Sequence, residues 1–109
     1  MILRKANGAT ENGATLSASQ RTELARLIDE TARPGMPVVA ETMQPSRRGR
    51  RYKNSRNGVI VMDGPFVETK ELIAGYVIVT AASLEDAGQW ALKYIGVVEA
   101  DEVDVRELD

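Results

Sequence analysis

The chain has no histidine and no cysteine. Histidine is the commonest general base near neutral pH and the commonest metal ligand. Its absence excludes a Ser-His-Asp or Cys-His centre within one chain. Zinc, copper and haem sites are disfavoured for the same reason, since carboxylates alone favour hard ions such as magnesium or calcium. Without cysteine there are no disulfides, thiolate nucleophiles or thiolate ligands. Any catalysis would run on Asp, Glu, Lys, Arg, Tyr or hydroxyl groups. Aromatic residues are scarce, with one Trp, three Tyr and one Phe. No apolar run approaches the ~20 residues of a membrane span. The start, Met1-Ile2-Leu3-Arg4-Lys5, reads as a strand and lacks the long apolar region of a secretory signal. A cytoplasmic location without membrane contact is the resulting expectation. Neither a P-loop nor a G-x-G-x-x-G run occurs, and no cofactor is expected.

What is present fits one small domain, residues 1–109. A chain of this size buries a modest fraction of its surface and is often helped by oligomerisation. Net charge is −2, unevenly spread. Arg47, Arg48, Arg50, Arg51, Lys53 and Arg56 form a basic cluster, whereas Glu99, Asp101, Glu102, Asp104, Glu107 and Asp109 make the other end acidic. The asymmetry favours an anionic ligand or head-to-tail electrostatic contacts. Nucleic-acid binding is disfavoured, because the basic cluster holds a single aromatic, Tyr52, and no recognised motif. Charges on such a hairpin also serve to block edge aggregation.

The order of elements follows from periodicity and punctuation. Residues 1–6 read as a first strand and 7–15 as a loop with the breakers Asn7-Gly8 and Asn12-Gly13. A helix is expected over 17–33, capped by Ser17 with Gln20 or by Ser19 near Glu23. Leu24, Leu27, Ile28 and Thr31 define its buried face, and Pro34-Gly35 stops it. Val38 to Met43 is a second strand. Asn57-Gly58 predicts a hairpin with arms 52–55 and 59–62. A strand over about 75–81, a helix from Ser83 ended by Gly96, and a strand over 102–108 complete the chain. Without the hairpin the order is β-α-β-β-α-β, the ferredoxin-like split βαβ pattern. Both alternating sets of Tyr76-Val77-Ile78-Val79-Thr80-Ala81 are largely apolar, so this strand is expected to be buried on both sides. Helices cover one face. The expected cover for the other is a second copy, sheet against sheet.

The segment Asp63-Gly64-Pro65-Phe66-Val67-Glu68-Thr69-Lys70-Glu71 lies between two apolar runs, where a small domain would place a site. Asp63 could act as an acid/base or orient a ligand; equally, it could close a turn by bonding backbone amides. Glu68, Lys70 and Glu71 could line a polar cleft or form a solvated face. Arg4 could hold an anion between the sheets, although a one-residue register shift would put Lys5 there instead. Glu41 is a candidate because its strand reads as buried, although Glu41 and Arg4 could equally form a dimer-interface salt bridge, the slightly favoured reading. Tyr76 could offer its hydroxyl to a ligand, but core packing is the commoner fate.

These residues resemble a known family. The run from Asp63 to Glu71 with Gly75-Tyr76 resembles the DGPF branch of the YCII-related proteins. Glu41-x-x-Gln44-Pro45 is similar to that family's segment after its second strand, and Ser83-Leu84-Glu85-Asp86-Ala87 with Trp90-Ala91 to its second helix. The resemblance implies a dimeric α+β barrel with a cleft between two ferredoxin-like sheets. Some members are thought to use a His-Asp pair, and one branch removes chloride from a chlorinated hydroxyquinol. Without histidine that pair does not carry over, and only Asp63 has a counterpart. The branch is also associated with extracytoplasmic-function sigma factors, a genomic association that shows no contact. The functional expectation is a homodimer that binds an unknown small molecule through Arg4, Glu41, Lys70 and Tyr76, with Asp63 as acid/base if it is lyase-like. The other expectation is a non-catalytic regulatory or protein-interaction module.

Overall fold

The computed structural model describes residues 1–67 and 71–109. Glu68 and Lys70 lie outside the described residues. The elements are β1 (Ile2–Lys5), α1 (Gly8–Glu11), α2 (Ala18–Thr31), β2 (Val39–Thr42), a 3-10 turn (Ser46–Arg48), β3 (Arg50–Ser55), β4 (Gly58–Asp63), β5 (Ile73–Ile78), α3 (Leu84–Val98) and β6 (Val103–Val105). The main sheet is antiparallel throughout, in the order β2-β5-β1-β6. With the β3–β4 ribbon set aside, this is the ferredoxin-like strand order. The ribbon forms its own two-stranded sheet.

Local chemistry explains the boundaries. Ser17 caps α2 by accepting from the Gln20 amide while the Gln20 side chain accepts from Ser17 N–H, so the first of the two possible caps is used. The segment 7–15 is not all loop. Asn7 caps the one-turn helix α1, in a reciprocal pair with Thr10. An Asn side chain that can close a turn can equally cap a helix. Nor does α3 end at Gly96. It runs on to Val98, which is buried against the sheet, and Glu99 takes the left-handed conformation at φ 53°. Burial of Val98 outweighs the low helix propensity of glycine, which is worth about 1 kcal/mol. The strand expected over about 75–81 lies earlier, at Ile73–Ile78.

The core lies between the sheet and the two long helices. Ile2 and Val77 face each other across β1 and β5 and are fully buried. Leu16 ahead of α2, Leu27 from α2 and Trp90, Ala91, Tyr94 and Val98 from α3 complete it. Trp90 stacks on Tyr94, and its indole N–H donates to Thr31 Oγ1 at 2.8 Å, which ties the helices together. The register puts Ala40, Val103 and Val105 on this covered side.

The opposite, open face carries Leu3, Val39, Glu41, Tyr76, Ile78 and Asp104. Tyr76 and Ile78 are half-buried and Val39 is exposed. Nothing in the described chain supplies the second cover that the doubly apolar β5 calls for.

Candidate functional site

The D-G-P-F segment closes the hairpin and docks it on the turn that opens it. Asp63 is the last residue of β4, opposite Arg50 at the start of β3. Its carboxylate accepts from Arg50 Nε at 2.9 Å, and the side chain is 78% exposed. Gly64 N–H donates to Gly49 O at 3.0 Å. A Cβ on Gly64 would lie 1.7 Å from the Ser46 carbonyl oxygen, so only glycine fits there. The Gly64–Pro65 peptide bond is cis. Phe66 follows, half-buried, with the Arg51 guanidinium 4.3 Å above its ring.

One serine binds these pieces to the first short helix. Ser46 N–H donates to Glu11 Oε1 at 2.9 Å, and its hydroxyl donates to the other carboxylate oxygen. The same hydroxyl oxygen accepts from Phe66 N–H at 3.0 Å. Arg47 donates to the Glu11 carbonyl at 3.2 Å. Glu11 and Ser46 are therefore central to this end of the molecule, and neither is among the residues expected from the sequence. The spacing of 35 residues between them leaves no local signal.

Two clefts flank this junction, sharing Met43, Gln44 and Pro45 as a common wall. One, of about 440 Å³, is lined by Glu11, Ser46, Arg48, Arg50, Phe66, Leu72 and Ile73. It combines an aromatic and two aliphatic residues with two arginines. The other, of about 420 Å³, lies against α2 and includes Leu24, Ile28, Arg21, Glu41 and Thr42. Both volumes fall in the range of small-molecule pockets, ~300–1,000 Å³.

The structure does not gather the expected site residues in one place. Glu41 and Tyr76 are cross-strand neighbours on the open face. Glu41 is exposed, not buried as its strand suggested, because β2 is an edge of the sheet. Arg4 is on the other side. It shares the helix-covered face with Ile2, opposite Gly75, and is only 9% exposed. Its Nε has no hydrogen-bond partner among the described residues. Lys5 is the basic residue on the open face, 3.4 Å from Asp104. Asp63 sits apart on the hairpin, and Lys70 lies outside the described residues. Among the described residues no three acid side chains converge as metal ligands would, and no helix is long and apolar enough to cross a membrane.

Residues 2–108 match the family model of the YCII-related domain. An uncharacterized protein of Rhizobium meliloti (strain 1021) is 40% identical over 47 residues, which make up 43% of this chain and 38% of that protein. The aligned part thus spans well under half the length of that relative. The chain belongs to the YCII-related domain family.

Proposed function

We propose that this YCII-related chain, of the DGPF branch, is a cytoplasmic homodimer that binds a small anionic, partly apolar molecule in the cleft beside Phe66. The observation that carries this reading is the lining of the cleft. Phe66, Leu72 and Ile73 offer an apolar wall, and Arg48 and Arg50 line the same space, Arg50 with its Nε held by Asp63. Arg48 makes no ion pair among the described residues, so its charge is available to a carboxylate or phenolate. Met43 lines the same cleft and continues the open-face row of Val39 and Glu41. A second sheet packed on the open face would therefore close one side of the cleft.

Binding is favoured over catalysis. The exposed Asp63 carboxylate is ion-paired to Arg50 and fixes its guanidinium, which suits a positioning residue better than a proton shuttle. Calorimetric titration with benzoate, cyclohexanecarboxylate and phosphate tests the proposal. Wild type is expected to bind benzoate in preference to phosphate. Arg48→Gln removes one charge-assisted hydrogen bond and should weaken binding about tenfold or more. Absence of binding to all three probes at millimolar concentration overturns the reading. A substrate that wild type converts and Asp63→Asn does not would restore the lyase-like role of Asp63.

A further inference from the structure

The β3–β4 ribbon is not accounted for by a ligand cleft at its base. Every residue of both strands is exposed, and among the described residues the ribbon pairs with no other strand. It carries Val59, Ile60, Val61 and Met62 in succession, 38–59% exposed, opposite Tyr52 at 64%. Alternation puts two of the four on each face, so each face of the ribbon carries an apolar β4 stripe beside the polar β3 strand. An isolated two-stranded ribbon is marginally stable in water, and a contiguous exposed apolar patch marks an interaction surface. The ribbon also stands off the body. The radius of gyration is 15.7 Å, against about 13 Å for a compact chain of this length.

We propose that this hairpin is a dimerisation arm that closes on the acidic β6 margin of a second copy of the chain, with the partner's arm doing the same in return. Charge selects the occupant. Lys53 and Arg56 near the ribbon tip make no ion pair among the described residues, and neither do Glu102 and Glu107 on either side of β6. The outer edge of β6 is unpaired as well among the described residues. One chain thus presents both halves of a complementary contact, and a two-fold axis satisfies both at once. Area supports the same arrangement. A six-residue ribbon is about 20 Å long and 10 Å wide, so two reciprocal arms remove about 800 Å² from water. That alone falls short of the ~1,200–2,000 Å² of a stable interface. Two open sheet faces, each about 15 by 20 Å, bring the total into that range. Neither surface suffices without the other.

The inference rests on the homodimer proposed above, and one set of variants separates the two. The test is sedimentation velocity of the full chain at micromolar concentration, with far-UV circular dichroism to confirm folding. Wild type is expected to be a dimer. Ile60→Lys with Val61→Lys, one change on each ribbon face, should raise the dimer dissociation constant about tenfold or more without changing the spectrum. Lys53→Glu with Arg56→Glu should weaken the dimer similarly, and adding Glu102→Lys with Glu107→Lys should restore it. If the ribbon variants stay as dimeric as wild type while Ile78→Lys dissociates the protein, the sheet-to-sheet dimer stands and the arm is overturned. The arm is overturned equally if the ribbon holds a nucleic acid or an unrelated protein, since dimerisation would then ignore it. A monomeric wild type overturns both.

Discussion

The helix-covered side of the main sheet and the β3–β4 ribbon are built from similar residues and meet opposite fates. Ile2 and Val77 are fully buried beneath α2 and α3, whereas Val59, Ile60 and Val61 are each about half exposed. Apolar character within a strand states that a surface needs cover. It does not say which chain provides it. On the first side the cover comes from helices connected to the strands, with the Trp90–Thr31 bond tying them together. On the second, the described chain offers nothing.

The largest expected effect comes from cutting into the covered side. Ile2→Ala should lower stability by about 4 kcal/mol through lost burial and a residual cavity. Val61→Ala, measured in a sample dilute enough to be monomeric, should cost less than about 0.5 kcal/mol. Denaturant melts of the two variants check this, and equal losses would mean that the ribbon is packed within its own chain.

Next in size is Gly64→Ala. The new Cβ meets the Ser46 carbonyl, which is backbone and cannot swing aside. A loss of about 3 kcal/mol is expected, together with undocking of Phe66 from Ser46. Proteolytic nicking near the base of the ribbon would report that undocking separately from global unfolding.

A smaller effect should appear at high pH. Burial pushes the Tyr94 hydroxyl above its ordinary value, with nearby Arg4 partly opposing the shift. The phenol stays protonated longer in the folded chain than in the unfolded one. Its contribution to stability is therefore complete below the unfolded value of about 10 and is lost as pH rises through the folded one. Tyr94→Phe should remove a late-ionising phenol from the spectrophotometric titration and flatten the alkaline fall in stability.

The parts of the fold that depend on local signals were legible in the sequence. Ser17 with Gln20, Pro34-Gly35 and Asn57-Gly58 mark real boundaries, and Gly35 and Gly58 take positive φ of 78° and 114° where the turns need it. The β-α-β-β-α-β order led to an α+β sheet with ferredoxin-like strand order. What the sequence hid depends on contacts between distant residues. Arg4 could not be assigned a face until its pairing with Gly75 was fixed, and the register slips between Arg4 and Lys5. The Glu11–Ser46–Phe66 network joins three segments with no shared local pattern. Gly64 shows the same limit. Its place in the D-G-P-F segment was plain, but the close approach of the Ser46 backbone that excludes every other residue was not.

The most direct measurement is amide hydrogen exchange of residues 58–63 in wild type at micromolar concentration, compared with β1 and β5. If a second copy covers the ribbon, its amides should exchange nearly as slowly as those of the main sheet and lose that protection on dilution. Exchange within seconds at every concentration, as for an isolated two-stranded ribbon, would contradict it.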